Sequence, residues 1–242
     1  AYPRFVFYPV LCAGQTRAVP AGISKDAEVF NMKCDPKDLL LYAVTDRHWL
    51  NGRTLVDVVK ESLDGGVTMI QLREKSLDEG KFLEEAKELQ ALCRERHVPF
   101  IVNDNVDIAK AMDADGVHVG QDDMAALDAR AKLGPDKIIG VSAKTVEQAL
   151  LAEKHGADYL GVGAIYPTGT KKDADAVTPG MLAKICQAVD IPVVAIGGLN
   201  KEHLELLKGT GVDGIAVVSA LFAADDIEKA AEELKEAVKK VL

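Results

Sequence analysis

The sequence predicts an α/β fold, a closed parallel (β/α)8 TIM barrel, on three observations. From residue 39 onward, short and almost continuously apolar runs alternate with longer amphipathic stretches, eight times in order. Polar and glycine residues gather at the C-terminal ends of those runs rather than along them. A length of 242 residues at 48% hydrophobic content allows one large core of the size such barrels commonly have. Apolar residues on both faces of a strand are what a parallel sheet covered on both sides requires. An open doubly wound sheet is the alternative, but no run is followed by a G-x-G-x-x-G turn.

The predicted strands are residues 39–44, 67–72, 99–102, 116–119, 138–141, 159–162, 192–196 and 214–218. Helical spacing lies between them. Leu55, Val58, Val59 and Ser62 share one face, as do Phe82, Leu83, Ala86, Leu89 and Leu92, and then Val146, Ala149, Leu150 and Glu153. Thr145-Val-Glu-Gln148 reads as a capping box. A closing helix over about 226–242 presents Ile227, Ala230, Ala231 and Leu234. Three Asp-containing phrases, at 114–116, 156–158 and 211–214, precede the fourth, sixth and eighth strands. Turns at the bottom of a barrel serve stability rather than chemistry, and these phrases are read so.

Residues 32–242 are read as the single barrel domain, and residues 1–31 as an N-terminal extension of unassigned role. Residues 2–11 are apolar but short, broken by prolines and without a basic leader, so a signal-peptide core is the lesser reading. Met32 opens a segment with the look of an ordinary protein start. The formal net charge of −9 argues against non-specific binding to nucleic acid or anionic membrane. No apolar run approaches membrane-spanning length. Cys12, Cys34, Cys93 and Cys186 are scattered, which fits reduced thiols in the cytoplasm and neither a disulfide framework nor a structural zinc site.

In such barrels the chemistry sits where the strands end. Gln71, Arg73 and Lys75 follow one another at two-residue intervals at the end of the second strand, so one amide and two cations project to the same side. Such a cluster calls either for an anionic ligand or for acidic side chains that pair with it. The first strand ends in Thr45-Asp46-Arg47, the third in Asn103-Asp104-Asn105, the fourth in His118-Val-Gly-Gln-Asp-Asp123 and the fifth at Ser142. Asp104 and Asp123 offer hard oxygen ligands from adjacent strands, which suits Mg²⁺; helix or turn capping is the alternative for each. Gly197, Gly198 and Ser219 lie where many barrels hold a monophosphate.

The loop after the sixth strand, Tyr166-Pro-Thr-Gly-Thr-Lys-Lys-Asp173, offers Thr168, Thr170, Lys171 and Lys172 as a closing cationic lid, or simply as a solvated loop. Ser142 lacks a histidine at triad spacing and is expected to donate a hydrogen bond to a phosphate oxygen. His118 is read as a core residue, and His48, His97, His155 and His203 receive no role. Two anion sites without a paired general base point to displacement of pyrophosphate.

Together and in this order, the motifs around Gln71–Lys75, Val102–Asp104, Gly116–Asp123, Gly140–Ser142, Tyr166–Asp173 and Ala195–Gly198 resemble the thiamine-phosphate synthase family. The resemblance runs from about Leu39 to the C-terminus. It implies a magnesium-dependent transferase of thiamine biosynthesis that joins a hydroxymethylpyrimidine pyrophosphate to a hydroxyethylthiazole phosphate, or its carboxylated form, with loss of pyrophosphate. By the same resemblance, Gln71, Arg73, Lys75, Asn103, Ser142 and Lys171 hold the pyrimidine pyrophosphate, with Arg73, Ser142 and Lys171 acting on the leaving group. Thr168, Thr170, Gly198, Val218 and Ser219 hold the thiazole phosphate, and Asp104 and Asp123 ligate Mg²⁺.

Asn105, Lys144 and Ala164 depart from residues frequent in the family, outside the transferred set. Lys144 stands where the related thiazole tautomerases place an acid–base histidine, which favours the synthase. A non-catalytic sensor of phosphorylated thiamine precursors is the competing reading from another class. Partners are expected to be small phosphorylated molecules, and the sequence leaves monomer and homodimer equally open.

Overall fold

Eight parallel strands pair in chain order and close on themselves, β8 against β1, in the computed structural model of the protein. Residues 33–74, 78–121, 126–166 and 176–242 are described. The proposed extension, Lys75, Asp123, Thr168, Thr170, Lys171 and Lys172 lie outside them. The strands are β1 (Leu41–Val44), β2 (Met69–Leu72), β3 (Phe100–Asn103), β4 (Gly116–Val119), β5 (Ile138–Ala143), β6 (Tyr159–Val162), β7 (Val193–Ile196) and β8 (Gly214–Val217). Every predicted strand is present: β1, β2, β7 and β8 are trimmed by one or two residues, β3 is shifted by one, β5 runs on to Ala143, and β4 and β6 keep the predicted bounds.

The helices outside the sheet are α1 (Leu55–Asp64), α2 (Glu79–Glu95), α3 (Val106–Ala111), α4 (Ala126–Leu133), α5 (Val146–Lys154) and α6 (Pro179–Ala188), then α7 (Ser219–Phe222) and α8 (Ile227–Val241). After β7 the chain makes a 3-10 segment, Lys201–Leu207, in place of an α-helix. No described helix is long and apolar enough to cross a membrane.

Alternation along each strand divides the core in two. Tyr42, Val44, Met69, Ile101, Ile138, Tyr159, Val194 and Ala216 form one cluster inside the barrel. Their neighbours in sequence, among them Ala43, Ile70, Val102, Ile139, Leu160, Ala195 and Val217, pack outward with the helices. On α1 the buried face is Leu55, Val58, Val59, Ser62 and Leu63, and on α8 it is Ile227, Ala231, Leu234 and Val238.

Two local expectations are corrected. On α5 the buried face is Ala149 and Ala152, and Leu150 is 45% exposed. The short alanines are what the close approach to the sheet accommodates. Thr145 caps Gln148 N–H at 3.2 Å, but the Gln148 side chain accepts from Lys144 N–H rather than from the cap residue. A reciprocal capping box forms instead at Thr54 and Asp57 on α1.

The bottom edge bears out the structural reading of the aspartate phrases. Asp115, Asp158 and Asp213 accept the N–H groups of Phe100, Ile139 and Val193 at 2.9, 2.7 and 2.8 Å. Thr68 does the same for Leu41 at 2.9 Å. Each acceptor lies just before an even-numbered strand and meets the start of the odd-numbered strand beside it. The side chain satisfies a backbone donor at the very start of the strand, where the ladder is only beginning.

Candidate active site

The C-terminal rim is built by residues that continue the inward-facing parity of each strand. Gln71, on β2, is a buried amide with 4% exposure. Two residues on, Arg73 is held from both ends. Its N–H donates to Thr45 Oγ1 at 3.0 Å, and its guanidinium Nη1 lies 3.0 Å from Asp46 Oδ2. Asp46 also caps the 3-10 turn Arg47–Trp49 by accepting from His48 N–H at 2.9 Å. Glu74 points the other way, as alternation requires, and its buried carboxylate pairs with Arg47, which also reaches Glu85. The acidic partner of Arg73 is therefore Asp46.

Asn103 closes β3, and its amide Nδ2 donates to Asp104 Oδ2 at 2.6 Å. Asp104 occupies a left-handed backbone conformation (φ 59°), unusual for a residue with a side chain, and its N–H donates to the His118 carbonyl at 2.8 Å. The bend sets the carboxylate at the top of the sheet. Among the described residues no group of three or more His, Cys, Asp or Glu side chains is assembled for a metal. Among the described residues, the Asp104 carboxylate with the adjoining Asn103 carboxamide fits an ion that retains water and takes phosphate oxygens, as Mg²⁺ does.

Ser142 is on β5, and the correction here concerns its partner. No histidine stands at triad spacing in the sequence, yet His118 reaches across from β4 to place Nε2 3.0 Å from Ser142 Oγ. His118 Nδ1 lies 3.0 Å from Tyr159 Oη, Tyr159 Oη lies 2.8 Å from Tyr42 Oη, and Gln71 Nε2 donates to Tyr42 Oη at 2.7 Å. A polar chain thus crosses the apolar interior from β2 to β5. Gln121 Nε2 adds a clamp on the Ser142 carbonyl at 2.6 Å. The signal for this chain was present as polar residues at inward positions of β1, β4 and β6, where an apolar core would otherwise be expected.

On the opposite side, Gly197 and Gly198 both have positive φ (97° and 64°). A Cβ on Gly197 would stand 2.6 Å from Ala164 Cβ, so glycine is required there by space as well as by conformation. Val218 precedes the short α7, which begins at Ser219 and has no side-chain cap. His203, given no role from sequence, binds the Gly198 carbonyl through Nδ1 at 2.7 Å and stacks on Tyr166 with ring centroids 3.8 Å apart. Gln71, Arg73, Asn103, Asp104 and Ser142 thus share the β2–β5 arc of the rim, and Gly198, Val218 and Ser219 the β7–β8 arc.

A parallel barrel with an amide, a guanidinium, a carboxylate and a glycine-lined arc around one rim defines a (β/α)8 enzyme for phosphorylated ligands. The thiamine monophosphate synthase family model matches residues 41–221. The thiamine-phosphate synthase of Clostridium tetani is 50% identical over 197 residues, 81% of this chain and 94% of its own. That of Syntrophomonas wolfei is 50% identical over 200 residues, 82% of this chain and 96% of its own. The solved thiamine phosphate pyrophosphorylase of Pyrococcus furiosus is 46% identical, with a TM-score of 0.79, covering 86% of this chain and 98% of that one. The chain belongs to the thiamine-phosphate synthase family, transferases of thiamine biosynthesis.

Proposed function

We propose that this chain joins hydroxymethylpyrimidine pyrophosphate to hydroxyethylthiazole phosphate, releasing thiamine monophosphate and pyrophosphate, or to its carboxylated form with CO2 released as well. The observation that carries the reading is the placement of Gln71, Arg73, Asn103 and Ser142 on one arc of the rim, opposite Gly198 and Ser219. Two anion-receptive arcs suit two phosphorylated substrates held across one opening.

In the reaction the bond between the pyrimidine methylene carbon and the pyrophosphate oxygen breaks, and its electron pair leaves with pyrophosphate. The thiazole nitrogen then gives its lone pair to that carbon, forming the new C–N bond. This nitrogen carries no proton, so no proton has to be moved by the protein. What the site must supply is charge stabilisation and alignment of the two rings. Arg73, Lys75 and Lys171 meet the leaving group with positive charge, while Asn103 and Ser142 donate hydrogen bonds to it. Gln71 holds the pyrimidine. Thr168, Thr170, Gly198, Val218 and Ser219 hold the thiazole phosphate. Asp104 and Asp123 would hold Mg²⁺, which when bound would supply positive charge toward the pyrophosphate.

Incubation with both phosphorylated substrates, followed by chromatography, tests the reading. Thiamine monophosphate and pyrophosphate are expected in equal amounts, and neither from one substrate alone. Isomerisation of the thiazole without coupling would assign the chain to the tautomerases, and binding without turnover would make it a sensor.

A further inference from the structure

The chain of hydrogen bonds from Gln71 to Ser142 has a direction. An amide nitrogen has only protons to offer, so Tyr42 Oη accepts from Gln71 Nε2; its own buried proton then needs an acceptor, and Tyr159 Oη stands 2.8 Å away. Tyr159 then gives its proton to His118 Nδ1. A neutral imidazole that accepts at Nδ1 carries its hydrogen on Nε2, and that hydrogen goes to Ser142 Oγ. The serine hydroxyl, already accepting, has its proton left for a ligand. Run the other way, Ser142 would give its proton to His118 and turn a lone pair toward the site, His118 would give to Tyr159 and Tyr159 to Tyr42. Gln71 Nε2 would still donate, so Tyr42 Oη would accept twice with its own proton left over. An anion at the rim favours the first direction.

The interior is shaped for this run. Tyr42, Tyr159 and His118 are all buried, and the two tyrosines meet edge to face with centroids 6.0 Å apart. A Cβ on Gly140 would overlap the Tyr159 ring, and one on Gly161 would stand 2.9 Å from His118 Cε1. Glycines at these two inward positions of β5 and β6 make the space that the rings fill. Burial pushes both phenols above the usual tyrosine range, so each keeps its proton.

We propose that His118, oriented by Tyr159 and Tyr42, is a positioning residue that fixes Ser142 as a hydrogen-bond donor to the pyrophosphate and couples it to the pyrimidine-binding amide of Gln71. The inference rests on the assignment of Ser142 to the pyrophosphate under the proposed function. It adds three residues that touch no substrate but set the geometry of two that do.

A double-mutant cycle reads the coupling, using Tyr159→Phe, which keeps the ring and removes the hydroxyl. Alone it is expected to lower kcat for pyrophosphate release about tenfold with KM for the thiazole phosphate unchanged. Ser142→Ala is expected to cost on the order of 10²-fold, and the double variant no more than Ser142→Ala. A full additional tenfold loss on the Ser142→Ala background, or a wild-type rate for Tyr159→Phe, overturns the proposal. A wild-type rate for Ser142→Ala overturns the pyrophosphate assignment itself, and the proposal with it. The unsubstituted protein offers an independent measurement, the ¹⁵N resonances of the His118 ring. Hydrogen on Nε2 with Nδ1 bare is expected, and the opposite tautomer overturns the proposal.

Discussion

The Arg73 guanidinium lies 3.0 Å from the Asp46 carboxylate, with both side chains largely withdrawn from water. The pair spans the tops of β1 and β2 and aims the guanidinium before any ligand arrives. An arriving pyrophosphate brings more negative charge than one carboxylate and can share or take over the cation. Arg73→Ala is expected to lower kcat/KM for pyrophosphate release by on the order of 10²-fold, and Lys171→Ala likewise, as for removal of an electrostatic stabiliser. Asp46→Ala leaves the cation in place but unaimed, and a loss of about tenfold is expected. Steady-state kinetics on the three variants checks the ranking.

The bottom of the barrel is expected to separate stability from activity. Asp158 accepts from Ile139 N–H at 2.7 Å and pairs with Arg130 at 2.5 Å, far from the rim. Asp158→Ala leaves the Ile139 N–H without its side-chain acceptor and removes the carboxylate from Arg130, which keeps the carbonyls of Gly134, Lys137 and Gly156, at a cost of about 2 kcal/mol. For a chain of this size that lowers Tm by roughly 4–8 °C. Turnover measured well below the transition is expected to stay at the wild-type value.

Gly140→Ala tests the packing around Tyr159. The added methyl would overlap the tyrosine ring, whose position is fixed by its neighbours on both sides. Overpacking of this kind costs about 1–3 kcal/mol. Thermal unfolding is expected to reveal it, together with a loss of activity because the ring that moves belongs to the Gln71–Ser142 chain.

The buried thiols give a pH-dependent prediction. Burial, with Asp115 adding to it, pushes the Cys93 thiol from an ordinary 9.0 up to about 12. Burial pushes Cys34 higher still. Above its ordinary value the unfolded chain loses the thiol proton while the fold retains it. The stability from the neutral thiol is therefore complete below pH 9.0 and is lost as pH rises toward about 12. Iodoacetamide labelling near neutral pH, mapped by mass spectrometry, is expected to leave Cys34 and Cys93 unmodified in the native protein and to modify both after denaturation.

Strand order was readable from sequence because each strand is apolar on both faces and ends in polar or glycine residues. The rim was readable for the same reason: Gln71, Arg73, Asn103 and Ser142 stand at strand ends, where an apolar run stops. Contacts between strands were not. Periodicity along one strand says which side His118 takes but not that β4 sets it beside Ser142, a relation fixed by the register His118↔Gly140. The Asp46–Arg73 pair joins residues 27 apart for the same reason. The missing reciprocal box at Thr145 is a different failure, since Gln148 found a closer N–H one residue earlier, at Lys144.

On the proposed function, pyrophosphate leaves carbon under the pull of positive charge and of a metal that Asp104 and Asp123 would hold. Pyrophosphate release with both substrates present, followed in Mg²⁺, in chelator, and after Mg²⁺ is restored, tests this. A fall of at least about 10²-fold in chelator and full recovery on restoring the ion are expected. An unchanged rate in chelator would contradict it.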